Sequence, residues 1–431
     1  MNRVAILLLI AALASAQDLG VKAPPQSGDI MIVNAVIHPV SGPVIKMGWL
    51  HMAKGRIHAL GAGELEIDGA IEVIDAKGQH VYPGFVASYT YLGLTEIGAV
   101  RASTDMTEAG EINPEVRAAV AVNPDSTLLP VTRSNGVLTF ATFPRGGAIP
   151  GRACVMSTDG WTWEDMALLA DAGLVVAWPN PDPGPRPERR GRRRRPAPER
   201  GMKRLKRIRE TFEAARAYLA AKAADTTTPT DVRWEAMRPV LERKRPVFFL
   251  ADDYAQITSA IDFAMQQKLR PIIVGGRGAL LCADLLKKHG VPVIVRGIHT
   301  FPRRNDSFHD EIYSLPAKLE AAEIRWCLAS GERTSNERNL PYTAGRAVAF
   351  GLPRDAALRA ITLSAAEILG VGKQLGSLET GKRATLFICN DDPLEITSQV
   401  VAAWVDGKRL DLSNKQTALA GKYREKLKQQ R

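Results

Sequence analysis

The sequence predicts an α/β protein, a TIM-like (β/α)8 barrel joined to a small β-sandwich built from both ends of the chain. Three observations carry this expectation. Apolar strand-like runs alternate with helical segments between residues 85 and 370, and continuous apolar strands between helices mark a parallel sheet. Val/Ile-rich runs at hairpin spacing fill 30–76, and the same texture returns near the C-terminus in ATLFICN and VVAAWVDGKRL. The chain has 431 residues, 45% hydrophobic and 24% charged, enough for one large barrel with an appendage. That composition excludes a disordered chain, a collagen and a disulfide-dense miniprotein.

Taken in order, residues 1–16 read as a signal peptide. Arg3 is a positive start, Val4 to Leu13 an apolar run too short to span a bilayer as a helix, and Ala14-Ser15-Ala16 a small-residue cleavage site. The expectation is an exported protein, periplasmic or extracellular, with an uncleaved anchor as the alternative. Residues 28–82 and 376–412 form the composite β-sandwich, where Asp406-Gly407 suits a tight hairpin turn. Residues 83–375 form the barrel. Its strands are expected at 85–89, 137–143, 174–178, 247–251, 271–276, 291–295 and 324–330. Its helices are expected at 202–224, 253–268, 279–289, 341–351 and 354–370. An open doubly wound sheet is the competing architecture. The four cysteines lie in apolar runs that match no zinc-ligand spacing, so they read as buried free thiols.

Residues 179–201 stand apart, with seven prolines and almost no apolar side chain, and are expected to form a disordered Arg/Pro-rich insertion. From Arg186 to Arg209 there are 13 basic and 2 acidic residues, a surplus equal to the whole chain's +11. The rest of the chain is balanced, so a general affinity for polyanions is not implied. The insertion also lacks the interleaved aromatics that stack on bases, which argues against nucleic acid and leaves contact with anionic envelope surfaces.

The stretch HVYPGFVASYTYLGLTEIG (80–98) resembles the first barrel strand of the amidohydrolase superfamily, whose pattern there is Pro-Gly, two apolar residues, Asp, a small residue and His-x-His. Residues 134–151 and 246–276 are similar to its second and middle strands, and GSLETGKRATLFICNDDP (376–393) to its C-terminal signature. The texture is that of the secreted, imidazolonepropionase-like branch. The resemblance implies hydrolysis of non-peptide C–N bonds in cyclic amides or acyl amino acids, with a divalent metal, typically Zn²⁺, at the barrel mouth.

At the positions that matter this sequence departs from the pattern. The His-x-His is Tyr89-Thr90-Tyr91, and the upstream Asp is Ala87. Leu250 stands where a histidine ligand is usual, and Gly275-Gly276-Arg277 where another is expected. Phenols are poor zinc ligands at neutral pH because their pKa is near 10. No metal site is therefore expected by the family pattern. His299, Asp306, His309 and Asp310, in the loop after residues 291–295, are an alternative set of ligands.

Glu332 stands near the place of the family's catalytic Asp, as a candidate acid/base. Tyr89, Tyr91, Arg277, Arg303, Arg304 and Arg338 are candidates for holding a small-molecule ligand at the mouth, guanidinium groups suiting carboxylate or phosphate. Gly275-Gly276-x-Gly278 reads as a tight strand–helix turn, and the tryptophans of DGWTWEDM (159–166) as packing residues. Two functions remain: a weakly active or inactive hydrolase with a degenerate metal site, or a non-catalytic binding module. The second version includes a homo-oligomer or the partner subunit of an active amidohydrolase paralogue.

Overall fold

The computed structural model describes residues 20–63, 71–181, 197–302, 307–331 and 333–430. The segment 1–16 expected to be a signal peptide, most of the Arg/Pro-rich insertion, Arg303, Arg304, Asp306 and Glu332 lie outside these residues.

The first sheet begins with strands β1 (Ile30–Ile37), β2 (Ile45–Ala53), β3 (Arg56–Ala62), β4 (Glu72–Asp75) and β5 (His80–Pro83). Alternation along β1 sends Ile30 and Ile32 to one buried face, and the irregularity after Ile32 returns Ala35 and Ile37 to the same core. The barrel follows as β6 (Phe85–Thr90), β7 (Val137–Thr142), β8 (Gly151–Ser157), β9 (Ala167–Val176), β10 (Val247–Ala251), β11 (Pro271–Gly275), β12 (Val293–Arg296) and β13 (Trp326–Ala329). The chain then returns to the first sheet through β14 (Leu386–Cys389), β15 (Val400–Val405) and β16 (Lys408–Arg409), with β14 pairing antiparallel to β5. Strands from both chain ends thus enclose one core of Ile32, Leu50, Leu386 and Trp404. The sheet is continuous and curls until the turn at Gly55 meets the turn at Asp406-Gly407. A Cβ on Gly55, whose φ is +75°, would stand 3.0 Å from the Asp406 carbonyl oxygen.

The eight barrel strands are ordered β6 to β13, with Ser88 Oγ of β6 donating to the Leu328 carbonyl of β13 at 3.1 Å across the closing seam. Seven run parallel. Strand β8 is antiparallel to both neighbours, a departure from an all-parallel (β/α)8 order. The reason is local: only a nine-residue connection, Thr158–Met166 with a four-residue helix, joins β8 to β9, too short for a parallel crossover. Apolar residues alternate across each strand. Phe249, Ile273, Val293 and Leu328 face the surrounding helices, while Phe248, Val274, Ile294 and Cys327 fill the interior. Helix Leu363–Leu369 packs Ala365, Ala366 and Ile368 against that interior from the N-terminal end of the strands.

The segment expected as one helix at 354–370 is two, Arg354–Ala360 and Leu363–Leu369, broken at Ile361-Thr362, where the Ile361 carbonyl accepts from Val86 of β6. The basic helix begins earlier than expected, at Ala197, so the last residues assigned to the insertion are helical. Its Ala-Pro-Glu opening explains this, because proline is tolerated in a first turn and an acid there offsets the helix dipole. Leu205, Ile208, Phe212 and Ala215 give the helix a buried stripe. All four cysteines are free and buried. No helix among the described residues is long and apolar enough to cross a membrane.

Candidate active site at the barrel mouth

The parallel strands deliver their C-terminal residues to one end of the barrel. From β6, Tyr89 is 6% exposed, and its hydroxyl lies 2.7 Å from that of Tyr91. The Tyr89 ring packs 4.7 Å from Phe143, just past β7, and Phe143 meets Phe248 of β10 edge-on at 5.1 Å. Tyr91 and Leu250 pack at the edge of the same cluster. The space in which the resemblance places metal ligands is therefore occupied by an aromatic and aliphatic plug. Burial, reinforced by the Tyr91 hydroxyl, pushes the Tyr89 phenol well above its ordinary value and outweighs the opposite pull of Arg296. A phenolate, the form that ligates a cation, is disfavoured at this position.

Arg296 ends β12, and strand alternation from Ile294 turns it inward, with its guanidinium carbon 5.8 Å from the Tyr89 ring centre. It remains solvent-accessible. Neighbouring Asp252 follows β10 and organises Arg277: its Oδ1 accepts from the Arg277 backbone N–H at 3.3 Å, and its Oδ2 lies 3.7 Å from Nε. The Arg277 guanidinium also donates to Thr300 Oγ1 at 2.9 Å. The mouth thus presents two guanidinium groups and a hydrogen-bonded phenol pair.

The other candidates are distributed differently. Tyr89 and Tyr91 touch, and Arg277 stands across the mouth on the β11 turn. Arg338 donates to Gln416, on the helix Lys415–Gln429. His299 and His309 are exposed, with His299 6.3 Å from the Tyr313 ring. Among the described residues no three His, Cys, Asp or Glu side chains are grouped to hold a metal, and Asp306 of the alternative set lies outside them. The glycine-rich turn is tight. A Cβ on Gly276 would stand 2.4 Å from Val293, and the Gly278 N–H is taken by the Asp252 carbonyl at 2.8 Å. The DGWTWEDM segment lies beside the start of β7, at the other end of the barrel, with Thr158 donating to the Leu138 carbonyl.

Sequence reasoning missed Arg296 and Asp252. The first was legible in the alternation Ile294-x-Arg296. The second carried no signal beyond its place at a strand end.

The donor set decides whether the family's metal fits. Zn²⁺ needs three or four nitrogen, sulfur or carboxylate ligands. The family positions offer two phenols, a leucine and two glycines, and Asp252 is engaged by Arg277. Among the described residues they do not fit it.

Comparison with known proteins agrees with the architecture. Residues 273–411 match the model of the amidohydrolase family. The amidohydrolase tasK of Hapsidospora irregularis is 23% identical over 376 residues, covering 78% of this chain and 37% of that protein. An N-substituted formamide deformylase of Arthrobacter pascens is 29% identical over 150 residues, 31% of this chain and 28% of that protein. The chain thus spans well under half the length of these curated relatives. Among solved structures, an amidohydrolase from Thermotoga maritima MSB8 superposes with a TM-score of 0.78 at 23% identity, covering 89% of this chain and 99% of that one. An adenosine deaminase from Xanthomonas campestris with bound zinc gives 0.51 at 15% identity, covering 94% and 100%. This chain therefore has the fold of the solved amidohydrolases, and its residues 273–411 are similar to the amidohydrolase family.

Proposed function

We propose that this chain is a metal-site-degenerate amidohydrolase whose barrel mouth binds a small amide or acyl compound bearing a carboxylate, with little or no hydrolysis. The observation that carries the reading is the plug of Tyr89, Phe143, Phe248 and Leu250 in the space of the metal ligands, bordered by Arg296. The guanidinium groups of Arg296 and Arg277 suit a carboxylate, and the Tyr89–Tyr91 pair can donate to an amide carbonyl. The relatives supply the ligand class, since one of them is by name a deformylase of N-substituted formamides. A chain of this kind would serve as a binding module or as partner subunit of an active paralogue. The export signal at 1–16 would place it outside the cytoplasm, and the Arg-rich insertion would face anionic envelope surfaces there.

The test is metal analysis of purified protein, dialysed and then offered Zn²⁺ or Mn²⁺, alongside assays on N-formyl amines, lactams and N-acyl amino acids. The expected result is substoichiometric metal, no turnover, and saturable binding of an N-acyl amino acid. Arg296→Gln should weaken that binding by about tenfold, the scale of one charge-assisted contact. One firmly held metal per chain with turnover would replace this reading by ordinary family hydrolysis.

A further inference from the structure

At the end of the barrel opposite the mouth, the turns leading into β10, β11, β12 and β13 surround a cavity of about 270 Å³. Its floor is apolar, formed by Met265, Ile272 and Ile368, and its wall carries Arg243, Lys268, Arg270 and Arg325. All four cations are exposed, and none has a carboxylate within ion-pair distance among the described residues. Their neighbours differ in this respect: Lys244 pairs with Glu242 at 2.7 Å and Lys287 with Glu323 at 3.3 Å. The one acidic group lining the cavity, Glu367, is held by Arg359 at 3.1 Å.

Two of the cations are braced. The Arg270 guanidinium donates to the Arg243 carbonyl at 3.2 Å, and the Arg243 guanidinium to the Lys268 carbonyl at 3.4 Å. Arg243 and Lys268 also occupy left-handed positions, with φ of +62° and +54°, just after helices Val232–Leu241 and Tyr254–Gln266. Glycine is the undemanding residue there, as Gly290 is after helix Ala283–His289. Helix-end dipoles account for cations in a last turn, but Arg270 and Arg325 lie beyond the helices, at the edge of β11 and β13. Outside residues 186–209 the chain is charge-balanced, so four uncompensated cations around one cavity are a local concentration.

We propose that this cavity is a second binding site, for a multiply charged phosphate group. Guanidinium pairs favour phosphate, and a charge of −2 or more matches four cations better than a monocarboxylate does. The volume accommodates a group of pyrophosphate size. The phosphate can belong to a soluble compound or to a lipid headgroup, and the two are separable by experiment. The site stands apart from the mouth and does not depend on the function proposed for it.

The full chain is titrated with pyrophosphate by calorimetry at 150 mM salt and, separately, sedimented with phosphatidylglycerol or phosphatidylcholine vesicles. The same is done for R270Q/R325Q and for K244Q/K287Q, which removes two paired cations from the same face. Saturable binding of one pyrophosphate per chain, weakened at least tenfold in R270Q/R325Q and unchanged in K244Q/K287Q, supports a site for soluble phosphates. Binding only to phosphatidylglycerol vesicles, with the same dependence on the two doubles, supports the site with a lipid phosphate as its ligand. Absence of both, or equal loss in the two doubles, overturns the proposal.

Discussion

A single carboxylate joins three parts of the molecule. Asp159, 3% exposed, accepts from the Ala23 backbone and from Arg133 at 3.3 Å each, while its other oxygen lies 3.5 Å from Lys408 of β16. It therefore ties the segment at residues 20–23, a helix of the barrel and the curled sheet. Arg133 is itself 2% exposed, and burial draws its guanidinium below the ordinary range against the pull of Asp159. Removing one partner of a buried pair leaves the other charge uncompensated, at a cost of about 3–5 kcal/mol. Asp159→Asn should accordingly lower the urea midpoint by that equivalent, and Arg133→Met/Asp159→Leu should recover part of it. An Asp159→Asn midpoint equal to the parent's would show that the pair contributes nothing.

At the scale of elements, the seam between the sheet and the barrel contains a titratable cluster. His38, just past β1, lies 2.9 Å from His80 of β5 and stacks on Tyr82 at 4.2 Å. On the barrel side, Arg354 binds Asp392 at 2.6 Å. Burial first, then His80 and Arg354, lower the His38 pKa to about 4, against the opposing pull of Asp392 and Asp355. The unfolded chain takes this proton near pH 6.5, before the folded chain does. The His38 contribution to stability therefore falls as pH drops from 6.5 toward 4 and is constant below that. Melting temperatures measured across this window should decline, and more shallowly in His38→Gln. Identical slopes would remove His38 as the cause.

How much of this was legible depends on the element. Strands β6, β7 and β10 to β13 were visible because each is a short apolar run bounded by turn residues. The reversal of β8 was not, because an apolar strand carries no mark of its direction, which only the short link to β9 sets. The break at Ile361-Thr362 was hidden because Leu-Ser-Ala-Ala-Glu continues a helical pattern, and a tertiary hydrogen bond to β6 ends the first helix.

The mouth is a property of the whole molecule, because its residues come from β6, β7, β10, β11 and β12, spread over more than 200 positions of the chain. The altered motif at 89–91 could be read from one strand, but the filling of the interior could not. It needed the register that brings Phe143 and Phe248 against Tyr89. This convergence predicts what restoring the motif would do. Tyr89→His/Tyr91→His supplies two imidazoles from one strand, and a zinc site needs at least three protein ligands. The third family position is Leu250, and Asp252 is held by Arg277. The double variant should therefore retain no stoichiometric Zn²⁺ after dialysis, and should lose about 2–4 kcal/mol of stability as Tyr89 leaves its contact with Phe143. Adding Leu250→His brings a third imidazole from β10, and that triple variant should hold metal measurably better than the double. If the double alone keeps one zinc per chain, a further ligand already faces the mouth, and the degenerate-site reading fails.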